Sequence, residues 1–98
     1  MDVKIFWSKR ADKGYARIVN YLEKNWTERE VRNFIHETRY FFELLRKNPN
    51  ILEKSGSHKF LHRGSINRLT ILTYRYDPIK KEITLINVRE SRKKPLNE

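Results

Sequence analysis

The stretch SHKFLHRGSINR (57–68) holds two of the chain's three histidines, His58 and His62, and three basic residues, Lys59, Arg63 and Arg68, with no acid among them. Four explanations fit such a set: a metal site, a nuclease centre, a nucleic-acid surface, or the solvent edge of a strand. On a helix, His58 and His62 would meet at i and i+4 and could chelate an ion. On a strand they share a face but lie about 13 Å apart, at roughly 3.3 Å per residue. The stretch is short and precedes two clear strands, so a strand is expected. No acidic residue within it completes a ligand set. His36 falls off the apolar stripe of its helix and is expected at the surface. Neither a metal nor a cofactor is expected.

A nuclease that cuts RNA through the substrate's own 2′-hydroxyl needs a base, charge stabilisation for the phosphorane and an acid for the leaving oxygen. Lys59, His62, Arg63, Arg68 and Arg92 could supply parts of that machinery. The chain has no Walker loop, nucleophile triad spacing or paired carboxylates. Simple capture of a phosphate or an acidic partner needs less. Lys59, Arg63, Arg68, Arg89, Arg92 and Lys93 gather near expected strand ends, where guanidinium groups can grip phosphate. The plainer alternative is a charged strand edge that discourages sheet-to-sheet pairing.

Composition favours a polyanionic partner. The chain has 98 residues and a net charge of +10. Residues 1–53 carry 11 basic and 8 acidic side chains, residues 54–98 carry 11 and 4, so the excess is concentrated in the second half. Hydrophobic residues make up 38%, enough for one core. The length fits one domain, 1–98, with a charged tail over 89–98. With no cysteine, disulfides and thiolate metal sites are excluded. No segment reads as a signal peptide or membrane span, so a cytoplasmic protein is expected.

The elements that must position these residues follow from periodicity. VKIFW (3–7) reads as a strand. Ser8 offers an N-cap to a helix over 9–25, with Ala11, Tyr15, Ile18, Val19 and Leu22 on one face. Gly14 weakens its middle by about 1 kcal/mol relative to Ala, and Asn25 is expected as a left-handed terminator. WTEREV (26–31) is a capping box, with Thr27 and Glu30 as reciprocal partners and a Trp26–Val31 staple. The second helix is expected over 28–47, closed by Pro49, and antiparallel to the first. Strands are expected at 58–63, 68–76 and 82–89, with turns at GSIN (64–67) and DPIKK (77–81). The fold class is therefore α+β: an N-terminal strand, an antiparallel two-helix hairpin, then three antiparallel strands forming one sheet packed on the helices. Arg68 should open the middle strand of the three.

The order of these elements, with YLEKNWTEREVRNFI, FFELLRKNPN, INRLTILTYRYD and EITLINVRESRKKP, resembles the RelE/ParE superfamily of toxins from bacterial type II toxin–antitoxin systems. The resemblance covers about residues 3–94. It implies a small basic toxin neutralised by a cognate antitoxin whose C-terminal segment wraps it. RelE-like members cut messenger RNA on the ribosome, and ParE-like members inhibit DNA gyrase. Arg68 and Lys59 match basic residues of the RelE-like branch. Leu61 stands where that branch has a second lysine, and no tyrosine follows Tyr76. Arg92 lies near a late catalytic arginine, but ParE-like sequences also carry a basic pair there, as in SRKK. The NW between the helices and LLRKNPN look ParE-like, and that branch is preferred. The helical hairpin and the basic tail are its candidate gyrase contacts.

Overall fold

A computed structural model describes residues 3–56 and 60–91. Six elements run in the order β1 (Lys4–Trp7), α1 (Lys9–Asn25), α2 (Glu28–Lys47), β2 (Leu61–Asn67), β3 (Thr70–Asp77) and β4 (Glu82–Glu90).

Both helices begin at local capping signals. Ser8 Oγ accepts from the Ala11 N–H at 3.0 Å and donates to the Ile86 carbonyl at 3.1 Å. One hydroxyl therefore starts α1 and ties it to β4. At α2, Thr27 Oγ1 accepts from the Glu30 N–H, and Glu30 Oε1 accepts from the Thr27 N–H at 3.1 Å, a complete capping box. Trp26 and Val31, the expected staple pair, both pack into the core. Asn25 is not left-handed. The only non-glycine residue with positive φ among the described residues is Lys81. Asn25 instead donates its side-chain amide to the Tyr21 carbonyl, and Trp26 closes the helix with extended backbone.

The sheet order is β1-β4-β3-β2. It is a mixed sheet, which corrects the expectation of an antiparallel one: β2–β3 and β3–β4 are antiparallel, but β1 pairs parallel with β4. The helical hairpin explains the difference. It returns the chain to the end where β1 started, where the Val3 N–H donates to the Arg46 carbonyl at 3.2 Å. β2 therefore sets out in the direction of β1, and β4, two reversals later, runs the same way.

The core lies between the helices and one face of the sheet. Leu72, Tyr74, Ile83, Leu85 and Val88 are buried there against Ala11, Ile18, Leu22, Phe34, Phe41 and Leu45. Trp7 packs edge-on against Tyr15 and Phe42, with ring centroids 5.5 and 5.3 Å apart. Gly14 does more than weaken a helix. It is buried where α1 crosses β4, and a methyl group there would overlap the Val88 carbonyl oxygen.

The expected strand at 58–63 and turn at 64–67 also need correcting. β2 begins at Leu61 and continues through GSIN to Asn67, with a bulge at Ile66. The reversal is made by Arg68 and Leu69, so Arg68 sits in a turn and does not open β3. Contacts from across the fold hold that turn. Asn67 Oδ1 accepts from the Leu69 N–H at 2.9 Å, and Ser91 beyond β4 donates its N–H to the Leu69 carbonyl and its hydroxyl to the Arg68 carbonyl. His58 and Lys59 lie outside the described residues, as do Arg92 and Lys93.

Candidate functional site

Alternation along the strands sorts every side chain onto one of two faces. The register aligns Leu61, Arg75, Thr84 and Phe6 in one row, Arg63, Thr73 and Asn87 in the next, and Ser65, Ile71 and Arg89 in the third. These rows face away from the helices. Arg63, Arg75 and Arg89, all exposed, occupy three successive rows on three strands. At about 4.8 Å between strands and 3.3 Å per residue, Arg63 lies roughly 8 Å from Arg75 and roughly 12 Å from Arg89, Cα to Cα. Side chains of that length can converge on one phosphate or spread along several. Among the described residues, no ion pair or side-chain hydrogen bond ties up any of the three. The face is a cationic patch with its donors free.

Arg63 and Arg89 were among the expected binding residues, and the sheet brings them together. Arg75 was missed. Its signal was present, because in TILTYRYD the apolar positions 72 and 74 alternate with 71, 73 and 75, which places Arg75 outward once β3 is in register. Arg68 is exposed but stands apart in the β2–β3 turn.

His62 has a different environment. It is 2% exposed, stacked on the Tyr74 ring at 4.9 Å, with Nδ1 2.7 Å from the Leu52 carbonyl. That geometry makes Nδ1 the donor to Leu52. The Tyr74 hydroxyl donates to the Pro49 carbonyl at 2.6 Å, and burial pushes its pKa up to about 12 although the Leu52 N–H bonds to it. The pair pins the 48–56 segment onto the sheet. His36 is exposed on α2, as expected. Among the described residues, no group of three or more potential ligands could hold a metal.

A second feature runs beside the sheet edge. α2 and the end of β2 enclose a groove of about 400 Å³, lined by Tyr40, Phe41, Leu44 and Ile66. Through Glu37, Asn67 and Arg68 it continues into a hollow of about 230 Å³ lined by Trp26, Glu30, Asn33 and Phe34. Tyr40 is 63% exposed and Leu44 37%, an apolar strip left uncovered on α2. No described helix is long and apolar enough to cross a membrane.

No protein-family model and no curated protein matches the sequence. Solved structures do match the fold. The chain is similar to one in the chromosomal ParDE toxin–antitoxin system of P. aeruginosa, at 11% identity and a TM-score of 0.72, over 90% of this chain and 95% of that one. It is similar to one in the RelBE2 toxin–antitoxin complex of Mycobacterium tuberculosis, at 12% identity and 0.63, over 92% and 99%. It is also similar to one in the archaeal RelE–RelB complex of Pyrococcus horikoshii, at 15% identity and 0.59, over 96% and 100%. The chain thus has the fold found in these toxin–antitoxin structures, along almost its whole length.

Proposed function

We propose that this chain is the toxin of a type II toxin–antitoxin pair, that it is ParE-like and inhibits DNA gyrase, and that a cognate antitoxin neutralises it. The fold supports the general reading. The observation that favours the ParE-like branch is the composition of the open sheet face. Its outward rows present Arg63, Arg75 and Arg89, groups that hold charge but do not exchange protons at neutral pH. The histidine that would transfer a proton, His62, lies on the opposite side, buried under the 48–56 segment. Among the described residues, such a face offers grip on an anionic target and no proton carrier to cleave it. Arg63, Arg75 and Arg89 are the contacts we assign to it.

The competing reading is a RelE-like, ribosome-dependent endoribonuclease, in which Lys59, Arg63 and Arg68 hold the scissile phosphate, Arg92 assists and His62 transfers a proton. Two assays on the purified chain separate the readings. Inhibition of gyrase supercoiling with accumulation of cleaved DNA, and intact message in primer extension on translating ribosomes, is the expected result. Discrete ribosome-dependent cuts with unaffected gyrase would establish the nuclease instead. Harmless expression of the chain without any antitoxin would remove the toxin reading altogether.

A further inference from the structure

The 48–56 segment roofs the row of the sheet that holds His62 and Tyr74. The next row, toward the β3–β4 turn, is more open. It is formed by Phe60 and Tyr76, joined where the Tyr76 N–H donates to the Phe60 carbonyl at 3.0 Å. Alternation puts both on the same face as His62 and Tyr74, and Phe60 is 47% exposed. A cavity of about 240 Å³ lies here, lined by Asn50, Lys54, Phe60, His62, Tyr76 and Pro78. Arg63, Arg75 and Arg89 occupy the opposite side of the sheet and do not reach it.

His62 gives this cavity a fixed polar wall. Stacking on Tyr74, with ring planes 6° apart, and the bond from Nδ1 to the Leu52 carbonyl hold the imidazole in place. With the proton on Nδ1, Nε2 of the neutral ring carries a lone pair. Among the described residues no group donates to it. Nor is it sealed in: the side-chain polar atoms fully buried without a partner are Asn67 Nδ2 and Thr70 Oγ1. His62 is therefore almost wholly buried, yet its one unpaired acceptor opens on the cavity that it lines. Lys54 stands beside it. The Arg63 N–H donates to the Glu53 carbonyl and the Ser55 N–H to the Leu61 carbonyl, which sets Lys54 directly opposite His62. In such an antiparallel pair the Cα atoms are about 4.5 Å apart and the side chains leave on one face. No acid among the described residues pairs with the Lys54 ammonium.

We propose that this cavity binds one nucleotide, with its base against Phe60 and Tyr76 and its phosphate on Lys54. Size narrows the ligand first. Drug-sized molecules occupy about 300–1,000 Å³, so a single planar ring system is what fits. The lining then sets the chemistry. Phe60, Tyr76 and Pro78 offer apolar surface to a ring face. His62 Nε2 accepts an N–H from the edge of the base, and the Asn50 amide, which both donates and accepts, meets the group next to it. The exposed Lys54 ammonium takes the anion. The ligand is a free nucleotide or an unstacked nucleotide of a strand, and the recognising chemistry is the same for both. The inference does not depend on the toxin reading.

Titration of the full chain, carrying isotope-labelled histidine, tests it through the His62 Nε2 resonance, which reports on a bond to that nitrogen. The four common nucleoside monophosphates are added in turn, with ribose phosphate as the control that lacks a base. At least one nucleotide should move Nε2, and ribose phosphate should not. Lys54→Ala and Phe60→Ala, both at exposed positions, should weaken that nucleotide at least tenfold and keep the parent's folded amide spectrum. His62 is left intact because its ring pins the 48–56 segment. A short single-stranded oligonucleotide separates the two sources. Binding at least tenfold tighter than the mononucleotide, with Nε2 still moved, identifies a nucleotide of a strand, and anything weaker identifies a free one. An Nε2 resonance unmoved by every mononucleotide and by the oligonucleotide overturns the proposal. An equal shift with ribose phosphate overturns it too, as does undiminished binding by both variants.

Discussion

The two faces of the sheet are made from the same strands, residue by residue, yet they do opposite things. On β3, Leu72 and Tyr74 are sealed against the helices, and their neighbours Thr73 and Arg75 look away from them. On β4, Val88 is buried and Arg89 is exposed. Strand alternation lets one segment carry the core and the binding surface without conflict. The energetic consequence is a separation of roles. Burial on the helix side holds the fold together. Cations on the open side repel one another and add nothing to it.

That comparison breaks first, and hardest, on the covered face. Leu72→Ala should lower unfolding free energy by about 3 kcal/mol, through lost burial and the cavity left behind, as read from denaturant midpoints. Gly14→Ala should cost about 2 kcal/mol by overpacking, although alanine is the better helix former, because the methyl group forces α1 off the Val88 carbonyl. A neutral or stabilising result would mean that α1 can slide on β4.

Tyr74→Phe sharpens the picture with pH. At neutral pH the loss of the bond to Pro49 should cost about 1 kcal/mol. The folded-state pKa of Tyr74 is raised to about 12 from 10.0, so the neutral phenol is favoured by folding. Its contribution is complete below pH 10 and is lost as pH rises from 10 through 12. The gap between the parent chain and Tyr74→Phe should therefore narrow over that window in urea titrations, and a constant gap would contradict it. The smallest stability change is expected on the open face. Arg63→Gln, Arg75→Gln and Arg89→Gln combined should shift stability by no more than about 0.5 kcal/mol yet abolish growth arrest. Retained arrest would separate the cationic face from the target.

Much of the architecture was readable along the chain. The helix limits at 9–25 and 28–47 follow from Ser8, the Thr27–Glu30 box and Pro49, signals that act within one turn of the helix they bound. The boundary between β2 and β3 was not readable in the same way. Gly64, Ser65 and Asn67 are turn formers by composition, but Leu52 covers Gly64, and Ser91 locks the reversal one step later, at Arg68 and Leu69. Those contacts come from remote parts of the chain, so local propensity could not weigh them. The same holds for His62. As a sequence feature it suggested a proton carrier, but the ring stacks on Tyr74 under a segment whose path the sequence does not specify.

By itself the sequence determined the element types, their order, the N-terminal helix caps and the basic excess of the second half, because each depends on neighbouring residues or on sums over them. Only the tertiary structure decided that β1 runs parallel to β4, that Gly14 is a contact point, and that Arg75 joins Arg63 and Arg89. Each depends on strand register or on one element crossing another, pairings between residues far apart in sequence that burial of the shared core selects collectively.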